Sequence, residues 1–356
     1  MDSKLLYLWL NSINGIGPII AKKLLEHFKD VENIYRADIY DLVKVDGIGV
    51  KLADKINKNR NLDKFKRVLE KCINDNIEII TREHKNYPEI LKGQDKAPMI
   101  LFVKGKIKQF NEAVAIVGAR RCSEYGKKIT VELAEELSKY NIPIISGMAK
   151  GIDSYAHTIA LRNNNYTIAV LGTGVDKCYP SEHINLMNSI IESGAVISQF
   201  APNTKCIREN FIKRNELIAM LSSKIVVVEA SNESGAIHTG KFGLRNNKEV
   251  FAVPNDIYNK LSIGTNKLIE NGAKIYLSSN SIIDNSGLCL SSNNIEAMTD
   301  IEKYILNILR VRSLSIDQLC KSCNIDLKKL QELIMSMELK GLITQSCGRI
   351  AIEMPL

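Results

Sequence analysis

From Ala113 to Leu277 short apolar runs alternate with helical stretches, and this alternation restricts the fold more than any other feature of the chain. The runs expected as strands are Ala113 to Val117, Ile142 to Ile145, Thr167 to Leu171, Ala195 to Ile197, Ile225 to Val228, Val250 to Val253 and Lys274 to Leu277. Helices fill the gaps, most clearly over 125–140, 154–162, 184–193, 215–221 and 236–246. A strand that is apolar at successive positions has to be covered on both faces, and strands separated by helices run parallel. The expected fold is therefore α/β, a Rossmann-like, doubly wound, mostly parallel sheet. Two earlier strand-like runs, Ile77 to Ile80 and Met99 to Val103, lie just before it.

Two modules flank this core. Residues 1–75 read as short helices and contain an internal repeat: Gly15, Ile16, Gly17, Ala21 and Lys23 recur as Gly47, Ile48, Gly49, Ala53 and Lys55. This is the pattern of a tandem helix-hairpin-helix (SAM-like) domain. Its glycine turns expose amide N–H groups at helix starts, and Lys22, Lys23, Lys51 and Lys55 add cations, a surface suited to a nucleic-acid backbone rather than to bases. At the other end three helical patterns (301–309, 316–323, 327–340) precede a hairpin, 341–344 with 349–352, which describes a winged helix. The expected division is 1–75 helical, 76–280 extended Rossmann-like, 281–297 a Ser/Asn-rich linker and 298–356 winged helix.

The net charge of +8 is compatible with a polyanionic partner but modest for one. The eight cysteines are scattered, and Cys320 and Cys323 form a lone CxxC pair with no histidine after His238, so packing thiols are expected rather than a metal site. The chain opens on no signal peptide and holds no apolar run of about 18 residues, so a cytoplasmic protein is expected, not bound to membrane.

Open parallel sheets bind ligands beyond the carboxyl ends of their strands. There the sequence places Gly118-Ala119-Arg120-Arg121, then Ser146-Gly147-Met148-Ala149-Lys150-Gly151-Ile152-Asp153, then Gly172-Thr173-Gly174. None completes a dinucleotide fingerprint, so no such cofactor is expected. Several glycine turns at one sheet edge with Arg120, Arg121 and Lys150 point to phosphates. A second cluster, Phe211-Ile212-Lys213-Arg214-Asn215, offers a ring for stacking, a point charge, a guanidinium fork for bidentate phosphate binding and an amide. His157 and His238 have no partner at a telling spacing and read as structural.

In these residues the chain resembles the DNA-processing protein A family (DprA, also called Smf). The likeness runs through Ala115-Ile116-Val117-Gly118-Ala119-Arg120, Ser146 to Asp153 with Ala156-His157, Leu171-Gly172-Thr173-Gly174 with Tyr179-Pro180, Phe211 with Arg214-Asn215, Ser234-Gly235, and Gly264-Thr265-Asn266. The resemblance implies a cytoplasmic, nonenzymatic homodimer without cofactor. It would bind single-stranded DNA in a basic pocket, protect incoming DNA and load the RecA recombinase during natural transformation. By motif the pocket would comprise Gly118, Arg120, Ser146, Gly147, Lys150, Gly151, Phe211, Lys213, Arg214 and Asn215, with Arg121 added from the charge pattern. Ala119, Lys150, Gln199 and Asn255 depart from the residues usual in the family, and Glu216 stands where a second arginine is frequent. The competing reading is an enzyme similar to nucleotide phosphoribohydrolases. Ser234-Gly235-Ala236-Ile237-His238-Thr239-Gly240-Lys241 keeps the threonine of their motif but offers Lys241, Phe242 and Gly243 where an acid is required.

Overall fold

The computed structural model describes residues 2–283, 300–309, 314–323, 325–339, 343–346 and 349–352. The chain divides into two units, 1–288 and 289–356.

The first unit begins with helices α1 (Ser3–Ser12), α2 (Pro18–Phe28), α3 (Val31–Arg36), α4 (Ile39–Leu42), α5 (Val50–Lys58) and α6 (Asp63–Asn74). The internal repeat becomes a pseudo-twofold contact. A Cβ on Gly15 (φ +107°) would crowd Leu52, and one on its repeat mate Gly47 (φ +87°) would strike Ile20, the residue that corresponds to Leu52. Both glycines take the left-handed backbone that a side chain resists. Two of the four expected cations already have acidic partners: Lys22 pairs with Asp95 at 2.6 Å and Lys23 with Asp46 at 2.5 Å. This helical region is not a separate body, because Leu6, Trp9, Leu24 and Ile34 share one apolar cluster with Ile79, Phe102 and Val196 of the sheet.

The sheet elements are β1 (Glu78–Thr81), α7 (Glu89–Lys92), β2 (Ile100–Gly105), β3 (Val114–Val117), α8 (Glu124–Lys139), β4 (Ile144–Ser146), α9 (Ile152–Arg162), β5 (Thr167–Val170), α10 (Ile184–Ser193), β6 (Ala195–Ser198), α11 (Arg208–Met220), β7 (Lys224–Val227), α12 (Gly235–Arg245), β8 (Glu249–Ala252), α13 (Ile263–Glu270) and β9 (Lys274–Ile275). Among the described residues they form a 9-stranded sheet of order β1-β2-β6-β5-β4-β3-β7-β8-β9. The run from β6 to β9 is parallel, whereas β1 and β2 join antiparallel at one edge. The apolar runs are continuous because each strand buries both faces. Ala115 and Val117 of β3 meet Leu217, Ile218 and Phe242 of α11 and α12, while Val114 and Ile116 meet Leu133, Leu137, Ala156 and Ala160 of α8 and α9. Each such Val, Leu, Ile or Phe side chain contributes about 1.5–3 kcal/mol, and each alanine methyl less than about 1 kcal/mol.

Three differences from the sequence expectation have physical causes. α11 begins at Arg208, seven residues before the expected start (Asn215), because its first turn is polar and carries no apolar period. α13 fills the gap between the last two strands but is not one of the clear helical stretches, since its burial rests on small residues, Gly264 and Thr265, with Leu268. The body of the first unit also runs past residue 280: Ile282 and Ile283 are buried beside α8, and Ile282 carbonyl accepts from Lys224 Nζ at 2.7 Å. The rest of the expected linker lies outside the described residues.

The second unit holds α14 (Asp300–Leu309), α15 (Ile316–Cys323), α16 (Leu327–Leu339) and an antiparallel pair, β10 (Ile343–Ser346) and β11 (Arg349–Ile352). Ile305, Leu319, Leu330, Ile334, Ile343 and Ile350 make its core, and Cys320 and Cys323 pack against it. Among the described residues no group of three or more His, Cys, Asp and Glu is placed to hold a metal, and no helix is long and apolar enough to cross a membrane.

Candidate nucleic-acid interface

The sheet reverses its winding at β3, with β4 on one side and β7 on the other. Loops leaving two such strands diverge and open a crevice beyond their carboxyl ends. A cleft of about 460 Å³ lies there, walled by Arg120, Arg121, Arg208, Phe211, Ser234 and His238 among others. A pocket of about 60 Å³ adjoins it at Lys150, Tyr179 and Pro180, and another of about 90 Å³ lies at Gly118, Asn215 and Thr239. Arg120 and Phe211 line all three. A further cleft of about 470 Å³ sits at the opposite, amino end of β7 and β8, but its Lys248 caps the Met220 and Ser222 carbonyls and the strand-end glycine turns are absent from its walls.

Charge in the main cleft comes from Arg120, Arg121 and Arg208, all exposed and none in an ion pair among the described residues. Glu233 is the acid in the same wall. Lys150 is exposed too, but pairs with Glu182 at 2.7 Å. Two rings meet beside these cations. Phe211 is half-buried and Tyr179 is 43% exposed, with centroids 5.5 Å apart and planes inclined by 54°. Such rings form a platform on which a base can stack.

The turn between β4 and α9 is fastened from both sides. Asp153, buried at the start of α9, accepts from the Gly147 N–H at 3.1 Å and the Ala149 N–H at 3.4 Å. Arg214, 6% exposed, donates Nη1 to the Gly147 carbonyl and, at 2.9 Å, to the Val170 carbonyl, while its Nε donates to Asn215 Oδ1 at 2.9 Å. Burial raises the Asp153 carboxyl above its ordinary range, opposed by the Arg214 charge and the amide donors; burial likewise lowers the Arg214 guanidinium, opposed by Asp153. Gly151 has φ +76°, and a Cβ there would strike the Ala119 and Arg120 carbonyls, so glycine lets α9 abut the arginine turn.

This geometry corrects three expectations. Arg214 is not a phosphate fork: Nε and Nη1 are already committed, and a bidentate grip needs two adjacent free donors. Ser146 does not face the cleft, for it is fully buried and its hydroxyl donates to the Ile116 carbonyl at 2.6 Å. Lys213 is exposed but is not among the lining residues, since it lies two positions from Phe211 and projects from the far side of α11. Asn215 is buried and bridges Arg214 to the Gly235 carbonyl at 2.9 Å. Gly118, Arg120, Arg121, Gly147, Lys150 and Phe211 do converge, and Glu216 is not among the lining residues. Arg208 and Tyr179 were missed. Spacing could have found Arg208, which shares a helix face with Phe211 and Asn215 once α11 begins early enough.

Neither buried acid nor any of His157, His183 and His238 is arranged as a proton-transfer pair, and His183 Nδ1 lies 2.9 Å from the Met148 carbonyl. Glu229 accepts from the Ser123 N–H at 2.9 Å and the Ser123 hydroxyl at 2.5 Å, holding the start of α8. His157 Nδ1 lies 2.7 Å from Thr167 Oγ1, and burial pushes its pKa down to about 3, which keeps it neutral. His238 is exposed in the cleft wall.

Residues 78–287 match the profile described as DNA recombination-mediator protein A, which is more than half of the chain. The chain belongs to the DNA recombination-mediator protein A family. Residues 8–57 match a SAM-like helix-hairpin-helix tandem and residues 292–349 the DprA winged helix domain, so all three modules fit the family. The chain is 35% identical over 287 residues to Protein Smf of Synechocystis sp., covering 78% of this chain and 72% of that one. It is similar to the crystal structure of DNA processing protein A from Streptococcus pneumoniae, with a TM-score of 0.68 and 30% identity over 78% of this chain and 96% of that one. A second similar structure, of DNA processing protein A from Helicobacter pylori, concerns the single-stranded DNA binding mode of that protein; there the TM-score is 0.53 and the identity 27%, over 58% of this chain and 93% of that one.

Proposed function

We propose that the chain binds single-stranded DNA in the cleft at the β3/β7 switch point and acts on it without catalysing a reaction. The observation that carries this reading is the placement of three arginines, Arg120, Arg121 and Arg208, in no ion pair among the described residues, around the Tyr179–Phe211 platform. Cations along a groove track a backbone, and rings take bases that a duplex would keep stacked. The Helicobacter pylori relative, which binds single strands, supports the same reading.

A competition of single against double strands for the full chain tests it, with single strands expected to win. Arg120→Ala removes the cation common to all three cavities and is expected to weaken single-strand binding by about 10- to 100-fold, the range of one charge-assisted hydrogen bond. Lys213→Ala, on the far side of α11, is expected to change it by no more than about twofold. Equal losses from both substitutions would relocate the strand. Release of free base from nucleoside monophosphates would instead revive the hydrolase alternative.

Handing the bound strand to the RecA recombinase during transformation, in the cytoplasm and as a homodimer, completes the reading and rests on the family resemblance. The homodimer has one structural support: among the described residues β9 is the last strand at its side of the sheet, with Ile275 48% exposed and Leu277, just beyond it, 80% exposed. Unpaired, apolar edges invite a second strand. Leu277→Lys is expected to shift the solution mass from dimer to monomer; a wild-type chain that is monomeric at micromolar concentration excludes this edge as a dimer contact. RecA filament assembly that the strand-bound protein does not accelerate would exclude the loading step.

A further inference from the structure

The floor of the cleft holds a donor that the fold leaves unused. Thr239 is fully buried, and its hydroxyl has no partner among the described residues. A helical threonine ordinarily donates to the carbonyl four residues back, here that of Gly235. Asn215 Nδ2 already donates to that carbonyl at 2.9 Å, and the helix ladder uses its other lone pair. A buried hydroxyl without a partner is an unfavourable arrangement that a ligand oxygen would relieve.

Thr239 lines the pocket of about 90 Å³ together with Gly118, Arg120, Ser234 and Ala236. The pocket therefore meets the first turn of α12, whose cap is Ser234, with its hydroxyl accepting from the Ala236 N–H at 3.3 Å. The helix contributes partial positive charge there, and Arg120 a full one. Volume decides the ligand class. Pockets for whole small molecules begin at roughly 300 Å³, whereas this one matches about three waters, which suits a single group. Arginine, hydroxyl and helix start are donors, so the group is an oxyanion. Asp153 is the acid in the wall, but it is held by the Gly147 and Ala149 amides and faces Arg214.

We propose that this pocket is a phosphoryl subsite, in which the Thr239 hydroxyl, the α12 start and Arg120 hold one phosphoryl group while the rest of the nucleotide lies in the larger cleft. The inference rests on the cleft reading for where the strand runs. The phosphoryl group can belong to a strand's 5′ end or to an internal diester, and the two sources are separable.

Thr239→Val is nearly isosteric and removes only the hydroxyl; Thr239→Ser keeps it. In the full chain at constant ionic strength, inorganic phosphate is expected to raise the melting temperature of wild type and Thr239→Ser, with the shift largely lost in Thr239→Val. On strands, Thr239→Val is expected to weaken binding about tenfold, one charge-assisted bond. A loss confined to 5′-phosphorylated oligothymidylate assigns the terminal phosphate; an equal loss on the 5′-hydroxyl oligomer assigns the internal one. A wild-type melting temperature indifferent to phosphate, or a shift that Thr239→Val leaves intact, overturns the subsite, and single-strand binding by wild type then leaves the cleft reading standing. A phosphate shift lost in Thr239→Val beside absent strand binding does the reverse.

Discussion

Raising salt from 50 to 200 mM is expected to weaken single-strand binding by about 300-fold if two protomers engage one strand, and by only about 20-fold if one does. For single strands the logarithm of affinity falls with the logarithm of salt at a slope near −0.7 per phosphate neutralised, because each protein cation displaces a condensed counterion. The cleft supplies Arg120, Arg121 and Arg208. Lys150 is left out because Glu182 already neutralises it at 2.7 Å, so a phosphate that took its place would release no net counterion. Three contacts give a slope near −2.1 and six a slope near −4.2. The measurement is a titration of fluorescent oligothymidylate at four or five salt concentrations. It reads protomer stoichiometry from a slope, independently of the solution mass. A slope near zero would remove the arginines from the interface altogether. If Arg208→Ala lowers the slope while Lys213→Ala does not, the assignment of faces on α11 is correct.

The parts of this molecule legible in its sequence are those decided by local patterns. Strands β3 to β9 fall within two residues of their expected positions at every end, because a doubly covered strand must be apolar at adjacent positions and little else in a chain is. The same holds for the hairpin repeat and for the convergence of Arg120, Arg121, Lys150 and Phe211, since the end of a parallel strand fixes where its following loop lies. What the sequence hid depends on side chains meeting across long separations. Ser146 reads as a polar residue in a glycine turn, yet its hydroxyl answers a carbonyl 30 positions earlier. Tyr179 gains a role only because a turn brings it to Phe211. Thr239 becomes an orphan because Asn215, from another helix, occupies the Gly235 carbonyl. A misplaced helix start had a similar effect: with α11 begun at Asn215, Lys213 and Arg208 have no defined faces, and the wrong one was favoured.

Arg214 is the residue whose sequence reading and structural reading diverge most, and its replacement separates them. If it gripped phosphate, Arg214→Met would weaken strand binding and leave stability alone. In its observed place the same change strips a cation from buried Asp153 and donors from the Gly147 and Val170 carbonyls. Leaving those two buried carbonyls without their donor costs about 1–3 kcal/mol each, and a total of about 3–5 kcal/mol in a body of this size lowers the melting temperature by about 6–10 °C. The dependence on pH carries a sign that a mere packing defect would not. Burial raises the folded-state pKa of Asp153, so its protonated form is favoured in the folded chain, and loss of Arg214, which opposes that rise, raises it further. The folded state then binds more protons than the unfolded one, and stability falls as pH rises above the unfolded carboxyl value near 4. The deficit of Arg214→Met relative to wild type should therefore be largest at pH 8 and narrow towards pH 5. Adding Asp153→Asn should recover much of it and flatten the pH dependence, which keeps the argument testable even if the single variant folds poorly. A variant with the wild-type melting temperature and reduced strand affinity would return Arg214 to the DNA.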